Sequence, residues 1–109
     1  MKWFLVKYVY EIVCSEGKYK TQFDEQLRLM VAESVAEAFN KASVQGNSFH
    51  KPFLNCQGQL MEWKFIGVAG IHEIDEPADG AEVASVVHEP ADVELFLNEM
   101  DQRKAFLLQ

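Results

Sequence analysis

Residues 60–74 carry the longest strand-like pattern in the chain. Met61, Trp63 and Phe65 alternate with Glu62 and Lys64, as a strand with one covered face requires. After Phe65 the phase slips. Ile66 and Val68 become apolar, and Ile71 and Ile74 follow at a spacing of three. A phase change beside Gly67 and Gly70 predicts a bulge or bend that re-aims the strand.

Residues 2–14 are rich in aromatic and β-branched types and read as a second long strand. Phe4, Val6, Tyr8, Tyr10 and Ile12 fall on one face. Trp3, Leu5, Val9 and Val13 fall on the other, interrupted by Lys7 and Glu11. A strand apolar on both faces belongs in the middle of a sheet, or is covered once and used at a subunit contact. A turn at residues 15–18, with Gly17 free to take positive φ, leads into a third strand over residues 19–31. There Phe23, Leu27, Leu29 and Val31 share one face and Asp24, Gln26 and Arg28 the other. This predicts a half-buried edge strand with its polar side wet.

A helix follows. Ser34 and Glu37 fit a capping box, Val35, Ala38, Phe39 and Ala42 form an apolar stripe, and Gly46 is placed for a left-handed cap. Glu37 and Lys41 are spaced for an ion pair on its wet face. Residues 47–59 are the loosest stretch. Pro52 argues against a central strand, residues 53–55 suit a short one, and Gln57-Gly58 suits a tight turn. Residues 81–88 alternate and read as a further strand after a turn at 75–80. Residues 89–92 open a last helix whose buried stripe is Val93, Phe96, Leu97 and Met100. Its apolar end, residues 105–109, would dock on its own sheet or on a second subunit.

The expected architecture is one α+β domain spanning residues 1–109, in the order β-β-α-β-β-α. Its sheet is mainly antiparallel and four-stranded, or five-stranded if residues 53–55 count. A right-handed crossover would set residues 60–74 beside the first strand, antiparallel to it. The spatial order would be 2-1-3-4, with both helices packed on one face.

Composition narrows the function classes. The chain has 109 residues, 49% hydrophobic and 25% charged, which is ordinary globular usage. A net charge of −7, with its cations scattered, argues against nucleic acid and against an anionic membrane surface. Lys7 and Glu11 break the apolar N-terminus, so no signal peptide or membrane span is expected. Cys14 and Cys56 do not form a Cys-x-x-Cys pair and read as reduced thiols of a cytoplasmic protein.

Candidate chemistry is thin. His72, Glu73, Asp75, Glu76, Asp79 and His88 have metal-ligand side chains. Pairing residues 71–74 with 81–84 would set His72 beside Val83 and hold the two imidazoles roughly 15 Å apart, too far for one ion. No phosphate loop, dinucleotide fingerprint, nucleophile elbow or zinc-protease helix is present. Nothing arranges either cysteine as a nucleophile. The aromatics Trp3, Tyr8, Tyr10, Phe23, Trp63 and Phe65 lack the interleaved cations of a base-stacking platform and read as core. No catalytic, cofactor-binding or metal-binding residue is therefore assigned. Gln22, Asp24, Gln26 and Arg28 alternate onto one strand face, and this polar row is the candidate interaction surface for a peptide or protein.

Several blocks carry a resemblance: Trp3-x-Leu5-Val6-Lys7, residues 22–29, the Ala36/Ala38/Ala42 helix and residues 62–68. They are similar to the domain of unknown function 4288 family of small bacterial proteins. Residues 73–83 and the acidic opening of the last helix are similar too. The likeness covers nearly the whole chain, and residues 22–29 are its most specific part. It implies a stand-alone bacterial domain and brings no activity, cofactor or catalytic residue. The resulting expectation is a non-enzymatic binding or protein-interaction domain, without a cofactor, that forms a homodimer. The alternative is an acidic immunity-type protein that neutralises a basic toxin.

Overall fold

A computed structural model describes residues 1–15 and 20–109. The elements are β1 (Lys2–Cys14), β2 (Gln22–Ala32), α1 (Val35–Gln45), a 3₁₀ turn (Gly46–Ser48), β3 (Phe53–Leu54), β4 (Leu60–Ile74) and α2 (Val93–Leu107). The turn expected at residues 15–18 lies largely outside the described residues.

The strands form one antiparallel α+β sheet in the order β2-β1-β4-β3. β4 lies against β1 as the crossover argument requires. The fourth place differs from expectation. It is taken by the two-residue β3, while residues 81–88 form no strand. Their alternation is genuine, but a strand exists only where a neighbour completes its hydrogen bonds, and here no ladder does.

The phase slip in β4 resolves into two bulges. Val9 pairs with Gly67 and Tyr10 with Phe65, leaving Ile66 extra. Lys7 pairs with Gly70 and Tyr8 with Val68, leaving Ala69 extra. Each extra residue resets the alternation, so Trp63, Phe65, Val68 and Ile71 all pack on the same core despite their uneven spacing. Along the ladder, residues 3–14 of β1 are opposed by residues 61–74 of β4, two more than an unbroken register would use.

That core is built from Phe4, Val6, Tyr8 and Tyr10 of β1, Met30 and Ala32 of β2, and Ala38 and Ala42 of α1. α1 starts as its sequence predicts: the Ser34 hydroxyl accepts from the Glu37 amide at 3.1 Å. The reciprocal bond comes from the Glu33 amide to the Glu37 carboxylate at 3.3 Å, and Lys41 donates to the Val31 carbonyl at 3.1 Å. The buried stripe is narrower than expected. The two alanines let the helix lie close to the sheet, while Val35 and Phe39 stay exposed.

Gly46 is also a correction. Its φ of −54° is right-handed, because the chain runs straight into the 3₁₀ turn. A glycine is required there for space. A Cβ would overlap the Phe65 ring, and the Gly46 carbonyl accepts a buried 2.7 Å hydrogen bond from the Tyr10 hydroxyl.

The second helix overturns the expectation of two helices on one face. Asp92 caps it, accepting from the Leu95 amide at 3.0 Å, yet α2 has no buried residue. Val93, Phe96, Leu97 and Met100 are all exposed. The radius of gyration is 18.2 Å, against about 13 Å for a compact chain of this length. Among the described residues, no helix is long and apolar enough to cross a membrane.

Candidate functional site

The register of β1 with β2 decides where the polar row goes. Tyr10 opposes Asp24, Tyr8 opposes Gln26 and Val6 opposes Arg28. Directly opposed residues share a face, so the row shares the side of the buried β1 set. The expected orientation of β2 is therefore reversed. Asp24, Gln26 and Arg28 are half-buried, while Phe23, Leu27 and Leu29 face outward and are 60%, 59% and 50% exposed. Local alternation separates two faces but cannot say which one is covered; the pairing with β1 does that.

Turned inward, the row finds partners on other elements. The Trp63 indole N–H of β4 donates to Asp24 Oδ2 at 3.0 Å, and Gln26 Nε2 donates to the same oxygen at 2.8 Å. Gln26 Oε1 then accepts from Arg28 Nη2 at 3.0 Å and meets His50 Nε2 at 2.9 Å. The direction of every bond follows from the ends. An indole only donates and an ionised carboxylate only accepts, so Gln26 must present its oxygen to Arg28 and His50. His50 therefore carries a proton on Nε2.

Hydrogen bonds from Gln26 and Trp63 hold the Asp24 carboxyl below the usual carboxylate range. The nearby His50 adds to this, against the opposing effect of burial. Burial pushes the Tyr8 and Tyr10 hydroxyls above the usual phenol range, opposed by the Arg28 charge. Both stay protonated, as the Tyr10 bond to Gly46 requires.

Aromatic rings close over this network. His50 meets Tyr10 edge-on at 4.8 Å and stacks with Trp63 at 6.2 Å, and Phe53 stacks with Trp63 at 5.6 Å. The Arg28 guanidinium sits 3.8 Å above the Phe49 ring. Among the described residues, Arg28 Nε is the one buried side-chain polar atom without a hydrogen-bond partner. The segment over residues 49–53 thus serves as a lid on the sheet, and sequence reading passed over its central residue, His50. The available signal was Phe49 and Phe53 flanking it, apolar residues in a stretch otherwise read as loop.

Gln22 departs from the rest of the row. It is exposed and lines a groove of ≈ 480 Å³ with Ile12, Cys14, Lys20, Cys56 and Met61, among others. Both cysteines are free. The turn closing the groove is held by Asn55, whose side-chain oxygen accepts from the Gln57 and Gln59 amides at 2.9 and 3.0 Å. Gly58 takes φ +76° there, in agreement with the expected tight turn.

The acidic cluster is dispersed. His72, Glu73 and Asp75 share a cavity of ≈ 510 Å³ with Glu82, Val83 and Ser85, whereas His88 lies 5.3 Å from the Phe96 ring. Among the described residues, no group of three or more His, Cys, Asp or Glu side chains is arranged to hold a metal ion.

Among the described residues two apolar surfaces are exposed. One is the outer side of β2 with Phe23, Leu27 and Leu29, beside Ile66 of β4, and the other is α2 with Val93, Leu97 and Met100. The profile of a family described as a domain of unknown function, DUF4288, matches residues 3–85. The chain belongs to this family. No curated protein and no solved structure matches it. The DUF4288 match takes in the whole sheet, α1 and the lid, and it ends before α2, so the likeness read at the last helix lies outside it.

Charge divides along nearly the same line. Residues 1–74 hold eight Lys and Arg and eight Asp and Glu, whereas residues 75–109 hold two and nine. The folded DUF4288 body is neutral, and the C-terminal arm carries the whole net charge of −7.

Proposed function

We propose that this DUF4288 protein is a non-enzymatic protein-interaction domain that works as a homodimer in the cytoplasm. The observation that carries the reading is α2. It is a capped helix of 15 residues that carries Val93, Leu95, Phe96, Leu97 and Met100, and none of its residues is fully buried by its own chain. Isolated helices of this length are marginal in water, so a helix with this many exposed apolar side chains calls for a covering surface. The outer face of β2 supplies a complementary exposure, with three large apolar side chains facing solvent. The polar row contributes from within. It fixes β2 against the lid and thereby presents Phe23, Leu27 and Leu29 outward. Two unpaired thiols are in keeping with a reducing compartment.

Sedimentation of the full chain tests this. A dimer is expected, and a strict monomer at high micromolar concentration would remove the reading.

The immunity-type alternative draws on the charge division. An arm holding nine acidic and two basic residues suits a basic target more than a neutral one. Gene neighbourhood discriminates: toxin genes beside most family members support it, and their general absence counts against it.

A further inference from the structure

β4 has an open edge. β1 runs along one side of it, and on the other side β3 reaches no further than Leu60 and Met61. Among the described residues, no strand lies beside residues 62–74 on that side, and an edge of this length calls for a cover.

A cover stands close by in the same chain. After β4 the chain reverses at residues 78–81, where the Ala81 amide donates to the Ala78 carbonyl at 3.0 Å and Gly80 takes φ +84°. Positive φ at the third position and not at Asp79 makes this a type II turn. It brings residues 82–85 back beside residues 72–75, with which they line one cavity of ≈ 510 Å³. They face the edge without being hydrogen-bonded into it.

We infer that residues 81–85 are a strap that closes on residues 70–74 of their own chain as an antiparallel strand, His72 opposite Val83. Three observations favour the strap's own chain. The turn that reverses it is already made. The short connection over residues 75–80 holds it at an effective concentration on the order of millimolar, which a second copy in dilute solution does not match. The DUF4288 match, residues 3–85, ends on the last residue of the strap, which groups the strap with the sheet and apart from α2. β4 sets the same limit from its side. Beyond Gly70 comes Ala69, the extra residue of a bulge, where a straight strap would lose its alternation.

The register also accounts for the open position. It sets Glu73 directly opposite Glu82, and Asp75 lines the same cavity. Lys2, 3.7 Å from Glu73, answers one of these three charges. Like charges opposite one another weaken pairing, so the strap is poised and not locked. Closed, it caps the C-terminal end of the β4 edge as β3 caps the N-terminal end; open, it leaves residues 70–74 free for another strand.

The strap does not depend on the homodimer reading, and two experiments on the full chain test it. Adjacent amides of a strand point to opposite sides, so one of Val83→Pro and Ala84→Pro removes a bond to β4. That variant is expected to exchange its amides at residues 70–74 about tenfold faster than the parent, and Glu82→Gln to exchange them more slowly, with the Phe4 and Val6 amides unchanged. Equal exchange at residues 70–74 in the parent and all three variants overturns the strap. Separately, His72→Cys with Val83→Cys is oxidised at low micromolar concentration in a chain also carrying Cys14→Ser and Cys56→Ser. A disulfide within one chain is expected on a denaturing gel. A disulfide formed only between two chains, or none, overturns the strap and leaves the homodimer reading untouched.

Discussion

Residues 1–74 and 75–109 are built from the same kinds of residue and differ in what covers them. Phe4 and Val6 are fully buried, whereas Val87 and Phe106 are almost bare. Both parts have a correctly capped helix: Ser34 accepts from Glu37 at the start of α1, and Asp92 accepts from Leu95 at the start of α2. Only α1 reaches a core, and it does so through two alanines, although α2 has the larger apolar side chains. Caps and stripes define a helix and its intended face. Burial depends on a surface to receive that face, and the neutral body offers one to α1 alone.

The sharpest way to break the comparison is Phe4→Ala. A cavity under the sheet centre is expected to cost about 3–5 kcal/mol in urea unfolding at any protein concentration. Gly46→Ala follows. Alanine suits the right-handed backbone and would gain up to ~1 kcal/mol of helix propensity. Overlap with Phe65 outweighs that gain and leaves a net loss of about 1–3 kcal/mol. Ser34→Ala removes the α1 cap and should lower stability by about 1 kcal/mol in the same assay.

Asp24→Asn has a smaller effect with a signature in pH. The folded carboxyl titrates below its unfolded value, so its stabilising contribution is full above the ordinary carboxylate range and fades as pH falls through the depressed value. The gap between parent and variant unfolding midpoints should therefore close on acidification, with Trp63 fluorescence reporting the lost hydrogen bond. An unchanging gap would contradict the assignment. The smallest effect belongs to the arm. Phe96→Ala should leave unfolding of the dilute protein within about 0.5 kcal/mol of the parent, because its ring meets His88 of the same arm and is no part of the sheet core. At concentrations where the protein associates, the same variant should be measurably weaker.

Much of the body was legible in the sequence. Long alternations gave β1 and β4, the capping box gave α1, and the broken period beside Gly67 and Gly70 announced the bulges. Family membership was also legible, from the blocks in the strands and α1. Three features were not. The covered side of β2 depends on its register with β1, since two alternating sets of residues look equally regular along the chain. The strand at residues 81–88 requires a neighbour that local propensity cannot supply. His50 lies in a segment without period, and its role comes from Gln26, 24 residues away in sequence. The candidate interaction surface shifted for the first of these reasons: Asp24 is tied to Trp63, Gln26 and Arg28 hold the lid, and the outward face belongs to Phe23, Leu27 and Leu29.

The two bulges in β4 also determine where this protein can change length. Ile66 and Ala69 oppose nothing on β1, so removing either would let the ladder close up while Phe65, Val68 and Ile71 keep their side of the sheet. Loss of Lys64, two residues before Ile66, would instead turn Trp63 or Phe65 out of the core or force a new irregularity. In a strand that appears fixed at both faces, the chain has two positions of slack, and single-residue deletions should be tolerated there before anywhere else along β4.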